Sequence, residues 1–197
     1  MPCLLEKLIT MQIEKEIIDY QDHKKEIDKW ISLKGEKKYL EFIKVFKEKD
    51  IPITWKKLDD TFRYDKRLLI NLFKYLSFFE DYLRAIVWNY SNKTYKKIED
   101  SYLKEVIDEV LSIADSLDIK GFDINKLKEN KPYINELRNR VSHNKIIINS
   151  GIDGKDYKEM IEAFKETLPV DYQAGIIKEI NNCSKGLLID GSLAINL

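Results

Sequence analysis

With 197 residues, 44% of them hydrophobic and 35% charged, the chain is too apolar for disorder and too charged for a membrane protein. Its 34 basic and 34 acidic side chains cancel, so no overall field draws in nucleic acid or anionic lipid, and an anionic partner has to be held by a local patch. Cys3 and Cys183 lie near opposite ends with no CxxC or Cys/His cluster, which argues against a disulfide framework or zinc site and for a reducing, cytoplasmic setting.

Glu6, Lys7, Glu14 and Lys15 interrupt the N-terminal stretch, so no signal peptide is expected there. Leu4 to Lys34 reads as one charged amphipathic helix ending at Gly35. Lys37 to Lys49 reads as a shorter one, with Leu40, Ile43, Val45 and Phe46 apolar. Asp50-Ile51-Pro52-Ile53 stops it, and Thr54 is placed to cap a short turn from Trp55 to Phe62.

The best-patterned segment is Asp65 to Asn92, where Leu69, Leu72, Leu76, Phe79, Leu83, Ile86 and Tyr90 recur in steps of three and four. Asp100 to Leu117 repeats the rule with Leu103, Val106, Val110, Ile113 and Leu117, and Asp100 is a suitable N-cap. Two such helices pack nearly antiparallel in a bundle. Gly121 is expected to end the second, with Phe122 to Glu129 as a connector holding a short turn.

Pro132 is expected in the first turn of the next helix, where the amide it lacks would be unpaired, and Ile134, Leu137 and Val141 form that helix's buried stripe. Ile146-Ile147-Ile148 reads as a strand stub or as helix running into a loop. Ser150 to Gly154 reads as a loop, Asp156 to Thr167 as a helix halted by Pro169, and Asp171 to Ile180 as a last helix. The tail Gly186 to Leu197 either docks on the body or pairs with Ile146 to Ile148. The expected fold is an all-α helical bundle with long antiparallel helices. A single domain is organised as an N-terminal extension (1–53), a bundle core (54–149) and C-terminal helices with a tail (150–197).

Only two histidines occur. His23 sits in a charged run on an exposed helix face and reads as inert surface. His143 lies four residues after Asn139, and at about 100° per residue the two share one helix face, so the amide can orient the imidazole as an acid or base. Arg138 lies about 140° around the same helix from His143, so bringing the two together needs a long side chain, an unwound helix end or a second copy of the chain. Arg140 and Lys145 add positive charge that suits a phosphate or a solvated face.

Arg138 reads equally as a surface arginine paired with Glu136 or Asp123, and His143 as a helix C-terminal histidine favoured by the macrodipole. Glu80 and Arg84 are spaced as an i,i+4 pair. Trp55 and Trp88 suit packing rather than base stacking, and the adjacent carboxylates Asp59-Asp60 and Glu80-Asp81 diverge on a helix, so they make poor metal or acid-base pairs.

Arg138-Asn139-x-x-x-His143 on a late helix resembles the R-[polar]-x-x-x-H signature of the HEPN superfamily. Thr54-Trp55-Lys56-Lys57-Leu58 and Phe79-Glu80-Asp81-Tyr82-Leu83-Arg84 precede it in the order of the abortive-infection (Abi-type) branch. The resemblance covers roughly Trp55 to Asn149. Several Abi-type relatives carry a second histidine where this chain has Asn144.

The resemblance implies a metal-independent endoribonuclease without cofactors. His143 is then the general acid or base, Arg138 the transition-state clamp and Asn139 the orienter, with Arg140 and Lys145 as further substrate contacts. It also implies a homodimer acting on RNA in phage defence or as a toxin, with an antitoxin or phage protein as a further partner. The alternative is a non-catalytic helical module that binds a protein or RNA.

Overall fold

The structure, a computed structural model, describes residues 13–91, 95–114 and 119–197. It is all-α apart from one two-residue hairpin among the described residues. Two compact units are present, one drawn from Met1–Arg67 with Cys183–Ala194 and the other from Leu68–Asn182 with Ile195–Leu197.

In the first unit, α1 (Tyr20–Lys34) and α2 (Glu36–Glu48) meet at Gly35, whose φ of 89° lies where a side chain is strained. The helix expected from Leu4 to Lys34 is broken at 17–19; its start, with Cys3, lies outside the described residues. The break has a use. The Ile18 amide donates to the Ile53 carbonyl at 2.9 Å, and the Asp19 carboxylate accepts the Trp55 amide at 2.7 Å, capping the next helix from 36 residues away.

That helix, α3, runs unbroken from Trp55 to Tyr90, so the turn at Trp55 to Phe62 and the seam after Asp65 are one element. No glycine or proline interrupts it, and in its buried N-terminal stretch Asp59 and Asp60 are met by cations or an amide, which offsets the poor helix propensity of Asp. Thr54 helps to start it, its hydroxyl accepting the Lys57 amide at 3.5 Å. Tyr39 packs against Trp55 and Phe62 with ring centroids 5.8 and 5.5 Å apart. The Lys34 ammonium sits over Trp30 at 4.4 Å and Phe62 at 4.3 Å while pairing with Asp59 at 2.9 Å.

Fully buried Asp60 accepts Lys56 at 2.6 Å and the amide of Leu188 at 2.8 Å. Arg67 donates to the carbonyls of Cys183 (3.0 Å) and Lys185 (2.8 Å) just before the tail, and the Leu188 amide on Asp60 docks part of the tail itself on α3.

In the second unit the buried stripe of α3 is Leu68, Leu72, Tyr75, Leu76, Phe79, Leu83, Ile86 and Val87. It starts at Leu68 rather than Leu69, and Tyr90 and Trp88 are about half exposed, so of the packing roles read for Trp88, core or interface, the core one does not hold. After α4 (Tyr95–Glu99), α5 spans Leu103–Ser112, with Leu103, Val106, Ile107 and Val110 buried. Asp100 is not its cap. The Glu105 carboxylate instead reaches back to the Tyr102 amide at 3.0 Å, and the expected end at Leu117 lies outside the described residues.

The expected connector after Gly121 is helix. Asp123 caps α6 (Ile124–Ser142) by accepting the amides of Asn125 at 2.8 Å and Lys126 at 3.3 Å. Pro132 therefore falls inside the helix rather than in its first turn. The preceding turns are kept helical by their packing. Leu127 is buried, and the buried Asn130 amide donates to the Ala163 carbonyl and Thr167 hydroxyl, both at 3.0 Å, on α7 (Tyr157–Thr167).

Ile134, Leu137 and Val141 are buried as expected, and Ile146 to Ile148 are buried turn rather than strand. The loop at Ser150 to Gly154 is in part a hairpin, β1 (Gly151–Ile152) with β2 (Lys155–Asp156). Asp153 and Gly154 at its tip both have positive φ, as a two-residue turn of matching twist requires. Asp156 then caps α7 with a full capping box to Glu159, and α8 (Val170–Asn181) follows Pro169.

Two outcomes follow for stability. A Cβ at Gly175 in α8 would lie 2.7 Å from the Tyr75 hydroxyl of α3, so Gly175→Ala has to displace that buried ring. An overpacking cost of about 1–3 kcal/mol, offset by roughly 1 kcal/mol of helix propensity, is expected to leave a net loss of up to about 2 kcal/mol in urea unfolding. Burial pushes the Asp60 carboxyl up, but Lys56 and the Leu188 amide outweigh it and hold it below its ordinary 3.8. Its stabilisation is complete above 3.8 and lost as pH falls through the depressed folded value. The urea midpoint is expected to fall with acidification below about pH 4, and less steeply in Asp60→Asn.

Candidate functional site

The end of α6 is set by its backbone. Asn144 takes φ 50°, its amide donates to the Val141 carbonyl at 3.2 Å, and the Lys145 amide donates to the Arg140 carbonyl at 2.9 Å. This is the paired 5→2 and 6→1 closure of a Schellman motif, with Asn144 in the left-handed position that asparagine adopts more readily than most residues. His143 is the C-cap, and its amide donates to the Asn139 carbonyl at 3.1 Å.

Arg138 lies on the side of α6 that faces α3. Its Nε donates to Glu80 Oε2 at 3.2 Å, and Glu80 Oε1 accepts Arg84 Nη2 at 2.6 Å. Arg84 is anchored in turn by the carbonyls of Ile98, Glu99 at 3.2 Å and Ser101 at 2.7 Å. A cleft of about 220 Å³ opens here, lined by Phe73, Leu76, Ser77, Glu80 and Asp81 of α3 and by Arg138 and Val141 of α6. Phe73 and Ile70 are exposed beside it on α3.

Neither residue expected to pair with Arg138 does so. Glu136 accepts Arg140 Nε at 2.7 Å, and Asp123 caps α6. Arg140 also donates through Nη1 to the Ile146 carbonyl at 2.9 Å, tying the chain after the helix back onto it. Arg140 is thus engaged in holding the helix end, and Lys145 is exposed.

Asn139 and His143 are exposed one turn apart, and among the described residues no hydrogen bond joins their side chains. His143 does not line the cleft that Arg138 lines. The single chain therefore presents the guanidinium in a groove and the imidazole on the outer face. His23 lies 3.6 Å from Asp19 and takes no part. Glu80 is the residue that sequence reasoning underused: its spacing to Arg84 was legible, but its bond to Arg138 spans 58 positions and had no local signal.

Among the described residues no three His, Cys, Asp or Glu side chains group so as to hold a metal ion, and no helix is long and apolar enough to cross a membrane. Compared with protein-family models, curated proteins and solved structures, the chain matches none.

Replacing Arg140 by alanine removes two hydrogen bonds from a largely buried guanidinium. Thermal or urea unfolding is expected to show a loss of about 1–3 kcal/mol. An unchanged midpoint would return Arg140 to the role of a free surface cation.

Proposed function

We propose that this protein is a metal-independent endoribonuclease of the HEPN type, acting as a homodimer in phage defence by abortive infection or as the toxin of a toxin-antitoxin pair. The supporting observation is the state of Arg138. Its Nε is held by Glu80 in a cleft, while Nη1 and Nη2 make no hydrogen bond among the described residues, on the same helix end as exposed Asn139 and His143.

The chemistry needs few groups. The 2′-oxygen of RNA attacks the neighbouring phosphorus, the bond to the 5′-oxygen breaks, and a 2′,3′-cyclic phosphate forms. His143 takes the 2′-hydroxyl proton or delivers one to the leaving 5′-oxygen, near neutral pH where an imidazole works in both directions. The free edge of Arg138 grips two phosphoryl oxygens as charge grows on them. Because His143 stands outside the cleft of its own chain, a second copy has to complete the site, with two α6 ends meeting across a two-fold axis. The exposed Phe73 and Ile70 of α3 give such a partner an apolar surface to cover.

A second reading has its own support. Glu80 already neutralises Arg138, Asp81 adds a carboxylate to the same cleft, and the chain has no net charge, which suits a helical module recognising a protein or RNA without cutting it.

Cleavage of RNA by purified protein separates the two. Activity is expected to survive EDTA, to vanish with a 2′-deoxy substitution at the cut position, and to fall about 100- to 10,000-fold in Arg138→Ala or His143→Ala. Sedimentation at micromolar concentration is expected to show a dimer. Intact RNA, with equal growth of cells expressing wild type and His143→Ala, favours the binding module.

A further inference from the structure

Glu80 is held on both of its oxygens. Only 16% of its side chain is exposed, and one oxygen receives Arg84 while the other receives Arg138. Arg84 in turn is fixed on three backbone carbonyls, at Ile98, Glu99 and Ser101, so the carboxylate has little freedom to swing. Arg138 is more exposed, at 38%, and is bound through Nε alone. A guanidinium held by Nε keeps its Nη1–Nη2 edge, which matches two oxygens of a phosphodiester.

We propose, resting on the endoribonuclease reading, that Glu80 is a positioning residue. It fixes Arg138 through Nε so that the Nη1–Nη2 edge faces the scissile phosphodiester, while Arg84 fixes Glu80. One carboxylate is shared between two guanidiniums, and Asp81 in the same cleft offsets the remaining positive charge, so an anion is drawn by the uncommitted Nη1–Nη2 edge rather than by net charge. The choice of a carboxylate also matters, because an amide at position 80 has a single acceptor oxygen and can serve only one of the two arginines well.

The test uses Glu80→Gln in the full chain. On a single-stranded oligoribonucleotide its kcat is expected to fall about 10- to 100-fold with KM within about twofold of wild type. A clamp that strengthens only as charge develops acts on kcat. The pH profile is expected to keep its shape, because the proton-transferring group is untouched.

Nitrogen-15 spectra of the five arginines give a second readout that needs no turnover. The Arg138 signal is identified by its loss in Arg138→Lys. Its Nε proton is expected to exchange slowly in wild type and rapidly in Glu80→Gln, while unchanged Arg63 and Arg67 signals report an intact fold.

Wild-type kcat in Glu80→Gln, alongside loss of cleavage in Arg138→Ala, overturns the positioning role and leaves the nuclease standing. An Arg138 Nε signal unmoved by Glu80→Gln overturns it too. RNA left intact by wild type removes the nuclease reading, and this inference with it, even where the Nε signal responds.

Discussion

A long helix can bury carboxylates only if each is met by a cation or an amide, and α3 is built under that constraint. In the first unit Asp59 is met by Lys34 and by Arg63 at 2.6 Å, and Asp60 by Lys56 and the Leu188 amide. In the second, Glu80 is met by Arg84 and Arg138. An unpaired carboxylate at such depth costs several kcal/mol, so the partners are tied to the helix as firmly as its apolar seam is. Pieces distant in sequence are recruited this way: the segment after Cys183, the carbonyls around Ser101, and the end of α6.

The candidate site is a consequence of the last of these pairings. Without Glu80, Arg138 would be one more surface cation, with an exposed ion pair worth under about 1 kcal/mol at best. With it, the guanidinium is drawn into a groove between two helices and keeps one edge uncommitted. The helix end that carries His143 is fixed separately, by the Schellman closure at Asn144 and by Arg140 reaching to Ile146. Two rigid fixtures on one helix thus hold Arg138 and His143 on different sides.

Parts of this were legible because they are local. The stripe at Ile134, Leu137 and Val141, the break at Gly35, the capped helix after Asp156 and the stop at Pro169 each depend on spacing or on one residue's backbone preference. Errors fell where a distant partner overrode a local signal. Asp19 capping Trp55 broke one expected helix and started another, and the hold of Asn130 on α7 kept a helix running through Pro132. Trp88, read as a packing residue, stands half exposed off the buried stripe that begins at Leu68.

By itself the sequence determined an all-α chain, the apolar stripes of its main helices, and the placing of Arg138, Asn139 and His143 at the end of one of them. Such features follow from periodicity and backbone preference, which act over a few residues. Tertiary structure alone decided that α3 is continuous, that Asp123 starts α6, and that Arg138 turns to Glu80 while His143 stays outside the cleft. Those outcomes depend on which buried charge or orphan amide finds its partner across tens of residues, and no local pattern encodes that search.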